Sequence, residues 1–293
     1  MTKTPVILVT GSNGQLGSEL RELAPAYPQY KFVFFSRSEL AIENGEEVER
    51  AFALLHPQYV INCAAYTAVD KAEAEKELAM AVNATAVAFL ARASKKYDAK
   101  FIHVSTDYVF DGTSRKLLRE DAPVSPVNFY GTTKLRGEEE AQKENPASII
   151  IRTSWVYSFY GKNFVKTMLR LMAEKESISV VADQWGSPTY AADLAETILH
   201  IIESGNWLPG IYHFSNEGVI NWAQFADEIR KLSNSACKVQ YITTEQYPTP
   251  ARRPAYSVLD KSKLVSSYGV TVKPWQESLQ RCLLKLKNTT PAS

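Results

Sequence analysis

The chain has 293 residues, 45% hydrophobic and 22% charged, with a net charge of +1, which is the balance of a soluble globular protein of one large or two modest domains. That charge leaves no cationic excess for a nucleic-acid backbone or an anionic membrane, and no stretch approaches the roughly 18 apolar residues of a membrane span, so neither partner is expected. Cys63, Cys237 and Cys282 are scattered without metal-ligand spacing, and MTKTPVILVTG lacks signal-peptide features, which together predict a reducing, cytoplasmic setting.

The first half alternates apolar, β-rich runs with longer helical patterns. Strands are expected at Val6–Thr10, Phe32–Phe35, Tyr59–Cys63, Phe101–Ser105 and Ser148–Arg152. Between them, helices are expected at Gln15–Leu23, Glu46–Leu55, Ala72–Tyr97 (as one helix or two) and Tyr130–Lys143. Strands apolar on both sides and separated by helices predict a doubly wound parallel α/β sheet, Rossmann-type, with ligands at the carboxyl ends of the strands. After Arg152 the alternation turns irregular. Helices are expected at Asn163–Lys175, Ala191–Glu203, Trp222–Leu232 and Pro274–Leu286, and strands at Ile178–Val181 and Ile211–Phe214. This predicts a dinucleotide-binding domain over 1–152, rejoined by a segment near 190–216, and a smaller, mainly substrate-binding domain over 153–293.

VILVTGSNGQLGSEL places Gly11, Gly14 and Gly17 between the first strand and the first helix. Glycine there permits a tight turn, close approach to a pyrophosphate and close helix–strand packing. The amides of Asn13, Gly14, Gln15 and Leu16 are then expected to face the phosphates, helped by the helix dipole. The second strand ends in Phe35-Ser36-Arg37-Ser38. No carboxylate closes it, and Arg37 suits a 2′-phosphate, which favours NADPH over NADH, although Glu39 lies close by. The third and fourth strands end in NCAAYTAVDKAE and HVSTDYVFDG. Ala64 and Ala65 are small enough for a dinucleotide to lie against the strand end, and Ser105, Thr106, Asp107 and Tyr108 set polar groups where a bound carbonyl would sit.

FYGTTKLRGE sets Tyr130 and Lys134 four apart at a helix start. With 15 tyrosines and 20 lysines in the chain, about one such pair arises by chance. There are two, and Tyr27 with Lys31, flanked by Pro25 and Pro28, reads as the accident. Residues four apart share a helix face. A unit positive charge near 4 Å would favour the phenolate by on the order of 4 kcal/mol, or roughly three pKa units, which is what proton transfer near neutrality needs.

The set GSNGQLG, NCAAYTAVDKAE, VSTDYVFDG, YGTTKLRGE, RTSWVYS, GSPTYAADLA and RRPAYSVLD resembles the extended short-chain dehydrogenase/reductases, within them the reductases of dTDP-4-dehydro-L-rhamnose. The glycine and Tyr-x-x-x-Lys patterns mark the superfamily only; STDYVFDG, RTSWVYS and the Arg253–Asp260 pattern are narrower. The resemblance implies that NAD(P)H reduces C4 of that nucleotide sugar. It makes Tyr130 the proton donor, Lys134 its electrostatic partner and ribose contact, and Thr106 a hydrogen-bond partner of the reacting oxygen. It places Val69, Asp107, Tyr108 and Trp155 at the sugar, and leaves Arg253 equally a diphosphate contact or a partner of a carboxylate. On the cofactor side it covers Gly14–Leu16, Ala41-Ile42, Ala64, Ala65, Tyr66, Thr67, Tyr130 and Lys134. Leu40-Ala41-Ile42 departs from the family's Leu-Asp-Ile or Leu-Asp-Val, so only backbone or van der Waals contact is expected at Ala41. The resemblance also raises a homodimer and an interface Mg2+ ion, for which the sequence offers no assigned carboxylates. Other readings are a sugar-nucleotide epimerase or dehydratase, or a non-catalytic NADP-binding regulatory subunit.

Overall fold

The computed structural model describes residues 4–289; residues 1–3 and 290–293, the outer ends of the two expected domains, lie outside the described residues. Five strands, β1 (Val6–Thr10), β2 (Lys31–Phe35), β3 (Tyr59–Asn62), β4 (Lys100–Thr106) and β5 (Ile149–Thr153), alternate with helices. The helices are α1 (Gln15–Leu23), α2 (Gly45–Leu55), α3 (Val69–Ala72), α4 (Lys76–Met80), α5 (Ala86–Lys96) and α6 (Phe129–Glu144). With Gly210–Phe214 the strands form one parallel sheet, ordered Gly210–Phe214, β5, β4, β3, β1, β2. The order reverses between β1 and β3, and in an open α/β sheet that reversal opens a crevice at the strands' carboxyl ends.

The strands are apolar throughout because both faces are covered. In β1, Ile7 and Val9 pack on one side with Leu16 and Leu20 of α1 and Leu194 and Ile198 of the helix Ala191–Glu203. Leu8 points the other way, onto Val48 and Phe52 of α2 and Val87 and Leu90 of α5. A separate apolar cluster joins Val165, Met168, Ile178, Phe225, Ile229, Leu279 and Cys282. It is built on the helices Phe164–Glu174, Trp222–Leu232 and Trp275–Thr289, with a parallel pair of strands, Ser177–Val181 and Lys238–Ile242.

Where the structure differs from the sequence reading, the cause is local. The expected Ala72–Tyr97 run holds short helices and, at Ala81–Thr85, a π-turn that feeds directly into α5. A π-turn is one widened turn inside a continuous helix, so it carries no start or stop signal in the sequence. The strand Lys238–Ile242 and the helix Ser262–Tyr268 lack a clean apolar stripe; the former is largely exposed, and the latter ends on Gly269 at φ 66°. Tyr27 and Lys31 share no helix: Tyr27 follows a short 3-10 turn, and Lys31 opens β2.

Candidate active site

The turn after β1 and the turn after β3 meet at the reversal point. Gly11 has φ 67°, and a Cβ there would lie 2.6 Å from the Ala64 nitrogen. Only glycine lets the two strand ends approach this closely. Gly17 serves α1 in the same way, since its Cβ would fall 2.4 Å from the Gly11 oxygen. Between the turns lies a cleft of about 270 Å³ whose lining includes Gly11, Asn13, Gly14, Arg37, Ile42, Ala64, Ala65 and Tyr66. No side chain caps the start of α1, which leaves its amino-terminal dipole free for an anion. The buried hydroxyl of Ser12 is without a partner among the described residues. A glycine cradle, an uncapped helix and a long cleft fit the diphosphate and adenosine of a dinucleotide.

Gln15, Leu16, Ala41 and Thr67 do not line this cleft. The Gly14 N–H donates to the Gly11 oxygen at 2.9 Å and so is spent inside the turn, correcting the expectation that it faces a phosphate. The Leu16 side chain packs in the sheet core, while its main-chain N–H lies in the uncapped first turn of α1. Gln15 turns away, donating to the Val156 oxygen at 3.3 Å and accepting from Asn163 at 3.0 Å. The Ala41 N–H is taken by Glu47 at 3.2 Å. Thr67 is exposed beyond Tyr66. At the far end, Glu39 does not compete with Arg37: its carboxylate accepts from the Ser36 N–H and hydroxyl at 2.7 and 2.6 Å. The acid that does face Arg37 is Glu43, in a cleft-lining ion pair at 3.0 Å that the sequence reading missed.

Further along the crevice, Asn128 caps α6, accepting from the Gly131 N–H at 2.8 Å and donating to the Arg252 oxygen at 2.7 Å. This fixes Tyr130 in the first turn, edge-on to Tyr108 with ring centroids 5.7 Å apart and within hydrogen-bond reach of Thr106. The Thr106 hydroxyl donates to Asp107 at 3.1 Å and accepts from the Tyr108 N–H at 3.2 Å. Burial pushes the Asp107 carboxyl up to about 6, against the pull of the Ser257 and Thr106 hydroxyls. Ser105 points elsewhere, donating to Glu138 at 2.5 Å; Glu138 in turn is bidentate to buried Arg152.

Lys134 lies one turn from Tyr130 and is 2% exposed. Its Nζ donates to the Val104 oxygen at 2.7 Å and lies 3.5 Å from His103 Nε2. Burial pushes its pKa down to about 8, opposed by Glu138. The expected lowering of Tyr130 by this charge is not found: burial pushes the phenol up to about 12, Thr106 pulls it down, and the nearby charge acting on it is that of Asp107. A shared helix face brings two Cβ atoms together, but the long lysine side chain turns onto β4 instead.

Val69, Tyr108 and Phe129 pack around Tyr130. Arg253 forms a bidentate pair with Asp70 of α3 at 2.6 and 2.7 Å, which answers the question left open about its carboxylate partner. Trp155 stacks on Trp222, centroids 3.7 Å apart, with the Gly186 backbone against its ring. Its φ of 49° is a left-handed conformation that an aromatic residue adopts only where its surroundings impose it. Asn83, in the π-turn, was also missed. It accepts from the Tyr66 N–H at 2.8 Å and donates to the Tyr66 oxygen and the Thr133 hydroxyl, both at 3.0 Å, tying the cleft wall to α6. Among the described residues, no group of three or more His, Cys, Asp or Glu is placed to hold a metal ion. No described helix is long and apolar enough to cross a membrane.

Residues 5–288 match the family model described as the RmlD substrate binding domain. A dTDP-4-dehydrorhamnose reductase of Aggregatibacter actinomycetemcomitans is 40% identical, the match covering 94% of this chain and 97% of that protein. The spore coat polysaccharide biosynthesis protein SpsK of Bacillus subtilis is also 40% identical, covering 97% of each chain. The crystal structure of dTDP-4-dehydrorhamnose reductase from Bacillus anthracis in complex with NADP superposes with a TM-score of 0.93 at 40% identity, covering 97% of this chain and 100% of that one.

Proposed function

The chain belongs to the RmlD substrate binding domain family, and from that membership we propose that it reduces the C4 keto group of dTDP-4-dehydro-L-rhamnose to give dTDP-L-rhamnose. It is an NAD(P)H-dependent oxidoreductase acting on a nucleotide sugar. The observation that carries the site assignment is the convergence of Thr106, Tyr130 and Lys134 at the carboxyl end of β4, next to Tyr66, which lines the glycine-turn cleft and packs with Tyr130.

We assign Gly11, Asn13, Gly14, Arg37, Ile42, Ala64, Ala65 and Tyr66 to the dinucleotide, with NADPH preferred over NADH through Arg37. Bound there, the cofactor supplies a hydride to the keto carbon. Tyr130 gives its proton to the oxygen at that carbon, and the Thr106 hydroxyl turns from Asp107 to donate a hydrogen bond that orients the same oxygen. A phenol held near 12 is a weak acid towards water but well matched to an alkoxide, so burial leaves it protonated until charge develops beside it. Lys134 holds the nicotinamide ribose, and Val69, Asp107, Tyr108 and Trp155 enclose the sugar. Arg253, already neutralised by Asp70, orients Tyr108 and helix α3, which carries Val69.

The test is NADPH oxidation with dTDP-4-dehydro-L-rhamnose beside other keto-sugar nucleotides. Turnover should be greatest with the former and stoichiometric with NADPH consumed. Conversion of a nucleotide sugar without net NADPH consumption would instead mark an epimerase or dehydratase. Tyr130→Phe should bind NADPH normally while kcat falls by roughly 10²–10⁴, the range for general acid catalysis; a fully active variant would remove Tyr130 from the chemistry.

A further inference from the structure

A buried polar chain runs from the sheet's reversal point to Lys134, and the reduction proposed above uses only that last member. Thr10, Asn62, His103 and Lys134 are each at most 2% exposed, on β1, β3, β4 and α6 respectively. Asn62 Oδ1 accepts from the Thr10 hydroxyl at 2.7 Å and from the Ala64 N–H at 3.2 Å. A backbone N–H can only donate, so the atom facing it is the amide oxygen, and the amide orientation is settled. Asn62 Nδ2 therefore faces His103 Nδ1, at 3.0 Å, and donates to it. Nδ1 must present its lone pair. Burial, reinforced by the charge of Lys134, holds the imidazole neutral, so its single proton sits on Nε2, the atom 3.5 Å from Lys134 Nζ.

We infer that His103 is a positioning residue for Lys134: Asn62 locks its ring with the proton on Nε2, and that N–H is aimed at the lysine nitrogen. An ammonium there sets donor against donor, whereas a free amine has a lone pair to offer. The Val104 oxygen accepts from either form and so anchors Nζ without choosing between them. The other groups facing Lys134 are Glu138 on its own helix and Cys63 past the end of β3. Glu138 is committed to Arg152 and Ser105, and burial keeps the Cys63 thiol protonated. His103 thus works in the same direction as burial, which lowers the pKa of Lys134. The lysine assigned above to the nicotinamide ribose therefore has a pKa lowered to about 8 and faces a donor that opposes its charged form.

The inference rests on the reductase reading only for the role of Lys134; the tautomer and its facing donor are properties of the chain. The whole protein, labelled with 15N in its four imidazoles, gives both by NMR, with and without NADPH. His103 should show a protonated Nε2 and an unprotonated Nδ1 throughout, with no titration near 6.5. Its nitrogen shifts should step as Lys134 titrates near pH 8, and the step should vanish in Lys134→Met. An Nδ1-protonated ring, a doubly protonated ring near pH 6.5, or identical pH series in wild type and Lys134→Met would each overturn the inference. His103→Gln assigns the signal; should it not fold, substituting His56, His200 and His213 one at a time assigns it by elimination. In kinetics, His103→Gln should move the alkaline limb of kcat/KM upward by about one pH unit, because an acceptor replaces the opposing donor. A loss of rate with an unmoved limb would reduce His103 to a packing role. Failure to turn over any nucleotide sugar would sink the reductase reading and leave the imidazole spectra to decide this one.

Discussion

Arg37 is 69% exposed and already paired with Glu43, so its service to a 2′-phosphate depends on which anion wins. An exposed ion pair is worth about 0.2–1 kcal/mol, while a hydrogen bond to a charged group contributes about 1.5–3 kcal/mol. The phosphate should therefore displace Glu43. Wild type is expected to bind NADPH more tightly than NADH by roughly tenfold or more, with Arg37→Ala closing most of that gap. Glu43→Gln should widen it slightly by freeing the guanidinium. Fluorescence titration of both cofactors measures this, and equal dissociation constants in the wild type would end the argument for Arg37.

Helix α6 carries Tyr130 and Lys134, and its position is set by two glycines that helix propensity alone would disfavour. A Cβ on Gly131 would lie 2.2 Å from the Tyr108 oxygen, and one on Gly137 would lie 2.1 Å from the Asn83 oxygen. Both neighbours are backbone, which cannot swing aside as a long side chain could. Helix propensity predicts that Gly137→Ala gains about 1 kcal/mol; overpacking against a carbonyl costs about 1–3 kcal/mol or more, and the second effect wins. Urea unfolding should show Gly137→Ala to be the less stable protein. NADPH affinity should fall with it, because Asn83 also holds the Tyr66 backbone in the cleft wall. A more stable variant would mean that α6 is free to slide.

Across the whole molecule, many polar bridges join the two apolar bodies, among them Asp193 and Glu196 to Arg281 and Glu22 to Tyr160. Gln15 reaches Asn163, buried Glu19 accepts from Ser158 at 2.5 Å, and Asp70 holds Arg253. Trp155 sits just past β5 at this junction, strained in backbone and stacked on Trp222. Trp155→Ala is expected to raise the KM for the nucleotide sugar by about tenfold, equivalent to roughly 1.4 kcal/mol of lost contact, while leaving the NADPH dissociation constant within about twofold. Steady-state kinetics beside cofactor titration separates the two effects. An equal loss of both would place Trp155 in the packing between the bodies and remove it from the sugar site.

The sequence by itself determined the parallel sheet, the glycine turn after β1 and the helix start at Tyr130. These are local properties: two-sided apolar runs, a backbone that only glycine can follow, and a four-residue spacing. What only the tertiary structure decided is where the long side chains point and which distant groups they meet. Lys134 shares a helix face with Tyr130 yet turns onto β4, where the Val104 oxygen, 30 residues away, takes its donor. Asp70 and Arg253 are 183 residues apart, and nothing near either one announces the other. Asn62, Asn83 and His103 escaped notice because a lone polar residue in an apolar run carries no spacing signal; each gains its meaning from a partner on a neighbouring strand or helix. Burial then sets the ionisation of the site, and burial is a property of the folded whole: the same tyrosine and lysine in an extended chain would titrate near their ordinary values.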